Sequence, residues 1–152
     1  PRLPSVGLEL YPYRTPFMAA CEAGDVAIAA LLIERGADPR RVGYEGYTAL
    51  AYALASGNKD MLAYLISLGV NLDARMDILQ GMASGVIERR RETALMQATK
   101  AGDLAAVQTL LAAGADPRLV DWVEDDALAM AVALGHRELE RILRAALGDV
   151  YQ

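Results

Sequence analysis

At 152 residues the chain suffices for one domain or one short array of repeats and is too short for a multidomain machine. Its 54% hydrophobic content, dominated by 28 Ala and 22 Leu, excludes disorder and predicts a mostly helical fold. A formal net charge of −5 argues against a nucleic-acid partner, and the longest uncharged stretch, Gly46 to Asn58, falls short of the ~20 apolar residues that cross a bilayer.

In chain order, residues 1–14 read as an N-terminal arm, Pro-rich and extended, in which Leu3, Val6, Leu8 and Leu10 lead to Tyr11-Pro12-Tyr13. The chain opens at Pro1 without Met, which leaves an upstream segment and the compartment open. The single cysteine, Cys21, fits a reducing compartment, so a cytoplasmic protein is favoured. Thirteen Arg against two Lys suggest a bacterial source of high GC content.

From Thr15 onward the sequence repeats. Segments beginning Thr15-Pro16-Phe17, Thr48-Ala49-Leu50, Thr93-Ala94-Leu95 and Asp126-Ala127-Leu128 stand 33, 45 and 33 residues apart, and Gly24, Gly57, Gly102 and Gly135 keep the same spacing. Gly36-Ala37-Asp38, Gly69-Val70-Asn71 and Gly114-Ala115-Asp116 form a third aligned series. A period of 33 residues marks a repeat architecture.

With Thr-Pro-Leu-like starts, a mid-repeat Gly and Gly-Ala-Asp endings, the chain resembles the ankyrin-repeat family over roughly Leu10 to Leu147. The resemblance implies an all-α, ankyrin-like solenoid of paired antiparallel helices with protruding hairpin loops. It divides the chain into repeats at about 15–47, 48–92, 93–125 and 126–147, followed by a tail at 148–152. The His usual after Thr-Pro-Leu is here Met18, Ala51, Met96 and Ala129, so packing is expected to replace its hydrogen bonds between repeats.

Each marker also has a local physical reading. Thr15, Thr48, Thr93 and Asp126 are expected to cap helix N-termini, worth about 1 kcal/mol each. The mid-repeat glycines are expected to adopt the left-handed conformation that ends a helix. In the second helices Ile28, Leu31, Leu32, then Leu62, Leu65, Ile66, then Val107, Leu110, Leu111, then Leu139, Ile142, Leu143 recur at helical spacing, the expected core between neighbours. The last helix offers Arg137, Glu138, Glu140, Arg141 and Arg144 as a polar cap, whereas the apolar run Val26 to Ile33 needs a cover, for which the arm is favoured over a preceding repeat.

The 45-residue spacing places twelve extra residues within 74–91, an enlarged finger whose Met76, Ile78, Leu79, Met82, Val86 and Ile87 surround Gly81 and Gly85. Two readings stand side by side: an adaptable surface gripping a partner, or an insertion folding back on its array. Around it, Tyr11, Arg14, Glu22, Tyr44, Glu45, Tyr47, Arg89, Arg90, Lys100, Trp122, Val123 and Asp125 occupy finger tips or the inner face of first helices. Tyr, Trp and Arg are the residue types that anchor interfaces. Arg89-Arg90-Arg91 stands one finger from Glu124-Asp125-Asp126, either a mutual surface network or a pair of steering patches.

Inventory argues against catalysis. Cys21 aligns with small buried positions, the lone His136 follows a repeat-turn glycine, and the glycines do not form a phosphate-binding cluster. The expectation is a monomeric, non-catalytic interaction module without metal or cofactor, binding a protein rather than nucleic acid or membrane. Its proposed contacts are Tyr11, Tyr44, Glu45, Tyr47, Met76, Ile78, Leu79, Met82, Arg89, Arg90, Trp122, Val123 and Asp125. Scaffolding, inhibition of a partner enzyme, and membership of a larger array or enzyme remain open alternatives.

Overall fold

A computed structural model describes residues 14–43, 46–81, 84–85 and 87–148. Tyr11, Tyr44, Glu45 and Met82, and with them the N-terminal arm, lie outside the described residues. Of Ile78, Leu79 and Arg89 the backbone alone is described.

Four helix pairs follow one another: α1 (Pro16–Ala23) with α2 (Val26–Glu34), α3 (Ala49–Ser56) with α4 (Lys59–Ser67), α5 (Ala94–Lys100) with α6 (Leu104–Ala112), and α7 (Ala127–Leu134) with α8 (Arg137–Leu147). Between α4 and α5 lies an antiparallel ribbon of β1 (Met76–Gly81) and β2 (Ile87–Glu92). The inner helices α1, α3, α5 and α7 pack in a row, and the outer helices α2, α4, α6 and α8 form a second row behind them. The fold is the all-α solenoid expected, with one short two-stranded addition.

The four predicted caps are present. Side-chain oxygens of Thr15, Thr48, Thr93 and Asp126 accept from Met18, Ala51, Met96 and Ala129 backbone N–H groups, satisfying donors that a helix start leaves open. Asp25, Asn58 and Asp103 do the same for the outer helices. Packing does replace the family's usual histidine: Met18, Ala51 and Met96 are all buried, and the Met96 sulfur accepts from the Thr93 N–H at 3.4 Å.

The core is continuous from Phe17 and Cys21 through Leu50, Met61 and Leu65, then Leu95, Val107 and Leu110, to Leu139 and Leu143. Ten of the twelve expected core positions in the outer helices are buried or pack against it. Ile28 and Leu31 are corrections, half-exposed at 50% and 49%. They sit on α2, which packs against α1 and α4 among the described elements. Along α8 the surface is charged, Arg141 pairing with Glu138 and Arg144 with Glu140.

The ribbon explains the 45-residue spacing. Met76 pairs with Glu92 and Gly81 with Ile87, and the two-residue alternation of a strand sends Met76, Arg90 and Glu92 toward the array while Asp77, Arg91 and Ile87 face away. Met76 is therefore a correction to the expected contact surface. It is completely buried, with its sulfur 3.9 Å from the Thr48 hydroxyl that donates to it, so it anchors the ribbon and is not offered to a partner.

The repeat-turn glycine is tested most sharply by comparing two copies. Gly24 and Gly57 both have left-handed φ, 70° and 67°, a conformation that costs an L-residue roughly 1–2 kcal/mol. A Cβ on Gly24 would lie 2.7 Å from Asn58 Nδ2, the group that donates to the Gly24 carbonyl, whereas Gly57 faces open space. Urea denaturation should show Gly57→Ala destabilising by roughly 1–2 kcal/mol and Gly24→Ala by at least about 1 kcal/mol more, the net worth of a lost hydrogen bond. Equal losses would mean that Asn58 gives way freely.

Candidate partner-binding face

The inner helices and the fingers before them form one face, and the finger preceding α7 presents two exposed apolar side chains on it. Trp122 is 52% exposed and Val123 44%. What holds them out is Asp121, whose side chain is wholly buried. Its Oδ1 accepts from the Val123 and Asp125 N–H groups at 2.9 and 3.0 Å, and Oδ2 accepts from Arg90 Nη1 at 3.0 Å. The same Arg90 nitrogen donates to Asp125 Oδ2 at 3.3 Å. A buried carboxylate is stable when paired and hydrogen-bonded, so the indole stands on a loop fixed by four polar contacts. Within that loop Glu124 adopts φ 65°, at the position that Gly46, φ 78°, holds in the finger before α3.

Arg90 thus belongs to a network between fingers, as one of the two readings of the charge run expected. Asp125 shares it, and Asp126 is occupied with capping α7. With its guanidinium turned into this network, Arg90 acts as a support for Trp122. Two buried carboxylates are not evident from the sequence pattern: Asp121, and Glu92, which accepts from Lys100 Nζ at 2.7 Å. An Asp two residues before a bonded N–H, as in Asp38 with Arg40 and Asp116 with Arg118, was the available signal for the first.

Toward the start of the array, Arg14 pairs with Glu22 and lies 5.4 Å from the centre of the Tyr52 ring. Tyr47 meets Tyr52 at 6.0 Å in a tilted arrangement. Between α3 and α5 a cleft of about 260 Å³ opens, with Tyr47, Ala51 and Ala55 on one wall and Gln97, Ala101 and Asp103 on the other. On the ribbon, Ile87 is the most exposed large apolar side chain among the described residues.

The groups that nucleophilic chemistry would need are placed for packing. Cys21 is buried, and burial pushes its thiol up to about 11, leaving little thiolate at neutral pH. His136 starts α8 without a side-chain cap bond, and its ring lies against Gly102 of the preceding repeat, 3.2 Å from where a Cβ there would be. Among the described residues no group of three or more His, Cys, Asp or Glu could hold a metal ion, and no helix is long and apolar enough to cross a membrane.

A family model described as "Ankyrin repeats (3 copies)" matches residues 6–76, and one described as "Ankyrin repeat" matches residues 90–122. Together they cover more than half of the sequence and leave residues 77–89, the greater part of the ribbon, between them. This chain belongs to the ankyrin-repeat family. Such repeats are in general protein-interaction modules without catalysis of their own. The array is 30% identical over 86% of its length to the "Ankyrin repeat protein nuc-2" of Neurospora crassa, and 33% identical over 67% to the "Palmitoyltransferase Hip14" of Drosophila melanogaster. It is 29% identical over 88% to a "Putative ankyrin repeat-containing protein" of Treponema pallidum. It spans 11%, 14% and 41% of those proteins, which come from a fungus, an insect and a spirochaete.

Arg90→Ala should leave the buried Asp121 carboxylate without its cation, at a cost of roughly 1–3 kcal/mol. The loss should appear in urea as an early transition in Trp122 fluorescence, ahead of the helical signal. A coincident, unshifted transition would contradict the support role. Glu124→Gly should stabilise by about 1 kcal/mol, because glycine adopts positive φ without strain, as thermal denaturation would show. Cys21 should resist a disulfide-exchange reagent at pH 8 in the folded state and react promptly in denaturant; equal rates would place the thiol at the surface.

Proposed function

We propose that this ankyrin array is a non-catalytic interaction module that holds one protein partner across its inner face. Its repeats are 15–47, 48–92, 93–125 and 126–147, and its contact surface runs along the finger tips from Tyr44, Glu45 and Tyr47 to Trp122, Val123 and Asp125. The long ribbon, with Ile78, Leu79, Met82 and Arg89, and Tyr11 of the arm extend it. The observation carrying this reading is Trp122: a large aromatic half in solvent, on a loop pre-organised by Asp121 and Arg90, is the form an interface anchor takes. The net charge of −5 favours a basic partner.

The similarity to part of a palmitoyltransferase favours a second reading, in which an array of this kind serves as recognition element for chemistry carried elsewhere. In both readings the chain binds and does not turn over substrate. Whether it brings proteins together or blocks a partner enzyme is decided by assaying the captured partner with and without excess array.

Affinity capture from lysate of the source organism tests the proposal. Trp122→Ala, folded by circular dichroism, should bind the captured protein at least about 30-fold more weakly, the equivalent of a hot spot of roughly 2 kcal/mol. Unchanged capture by Trp122→Ala and Tyr44→Ala alike would remove the finger tips from the site. Shortening the ribbon to the length of the first finger should keep the helices and lose the partner, whereas unfolding would make the whole insertion core.

A further inference from the structure

The cleft between α3 and α5 sits where the second repeat lacks the ion pair that the first and third carry. By the 33- and 45-residue spacings, Tyr47 aligns with Arg14 and Glu92, Ala51 with Met18 and Met96, and Ala55 with Glu22 and Lys100. In the first repeat Arg14 pairs with Glu22 over buried Met18, and in the third Glu92 pairs with Lys100 over buried Met96. A long side chain and an ion pair therefore occupy this volume in both. In the second repeat two alanines and a tyrosine stand there, and about 260 Å³ is left open.

The neighbouring junction shows what fits. There the Arg14 guanidinium crosses to the next repeat and lies 5.4 Å from the Tyr52 ring centre, and Tyr52 is the residue that aligns with Gln97. Across the open junction the corresponding walls offer alanine methyl groups for an aliphatic stem, the Tyr47 ring for a cation, the Gln97 amide and the Asp103 carboxylate. Among the described residues no Lys or Arg lines it. The volume is below that of a drug-sized ligand pocket, ~300 Å³ or more, and suits one side chain.

We propose that this cleft receives an arginine side chain of the protein partner, its stem on Ala51 and Ala98 and its guanidinium between Tyr47, Gln97 and Asp103. The inference rests on the inner face being the binding face and adds which chemistry that face selects. An acidic or purely apolar side chain has no counterpart for Asp103 and is rejected.

The probe is acetyl-Gly-Arg-Gly-amide, titrated into the isotope-labelled full chain and followed by backbone amide NMR, with the Leu and Glu peptides alongside. Saturable shifts confined to Ala51, Ala55, Gln97, Ala101 and their neighbours, at least tenfold weaker with Leu and Glu, support the proposal. So does their loss in Ala51→Met, a side chain the fold already accepts at Met18 and Met96, and in Asp103→Asn, which preserves the cap as Asn58 does. Arginine shifts absent from the cleft, matched by the leucine peptide, or unchanged in both variants overturn it. A partner captured equally by wild type and Ala51→Met overturns the cleft while leaving the inner face standing. Arginine-specific shifts lost in both variants, with capture indifferent to Trp122, support the cleft and overturn the finger-tip reading.

Discussion

Everything here depends on one constraint: a single helix pair of this size cannot bury its own apolar side and must borrow a neighbour. The inner helices solve this with small residues, Ala20, Ala53, Ala98 and Ala131 at one aligned position, all buried, which lets successive backbones approach. Stability is then a sum over junctions, and the ends are special. The last helix answers with a charged outer face and two ion pairs along it. The first outer helix does not, and Ile28 and Leu31 remain half in solvent.

A solenoid built on junctions tolerates an insertion if the insertion makes its own junctions. The ribbon does so through three residues of one strand face. Met76 fills space beneath Thr48, Glu92 meets Lys100, and Arg90 ties the next finger through Asp121 and Asp125. Gly46 accommodates it, since a Cβ there would come within 3.1 Å of the Arg75 carbonyl oxygen. The ion pairs of the first and third repeats, Arg14 with Glu22 and Glu92 with Lys100, have no counterpart in the second, whose junction is left with alanines and an open cleft.

The caps, the turn glycines and the spacing were legible because each is a local requirement written at a fixed position. The place of the insertion followed from arithmetic on those markers. Its ribbon form did not, because a short apolar run without caps fits either a strand or a buried helix. Without the strand register there was no way to see that Met76 points inward. Asp121 and Glu92 were missed because charged residues default to the surface, and only the partner brought by folding, Arg90 or Lys100, makes their burial tolerable. Trp122 and Val123 were placed correctly as exposed because finger tips have nothing beyond them. Ile28 and Leu31 share the outer-helix pattern, but a pattern cannot report that α2 packs chiefly against α1 and α4 among the described elements.

A partner seated on the inner face, as proposed, is tested directly by hydrogen exchange on the array bound to it. Slowed exchange confined to residues 47–55, 97–101 and 120–125, with α2, α4 and α6 unchanged, is the predicted result. Protection on those outer helices with an unaltered groove would contradict it and move the partner to the convex side.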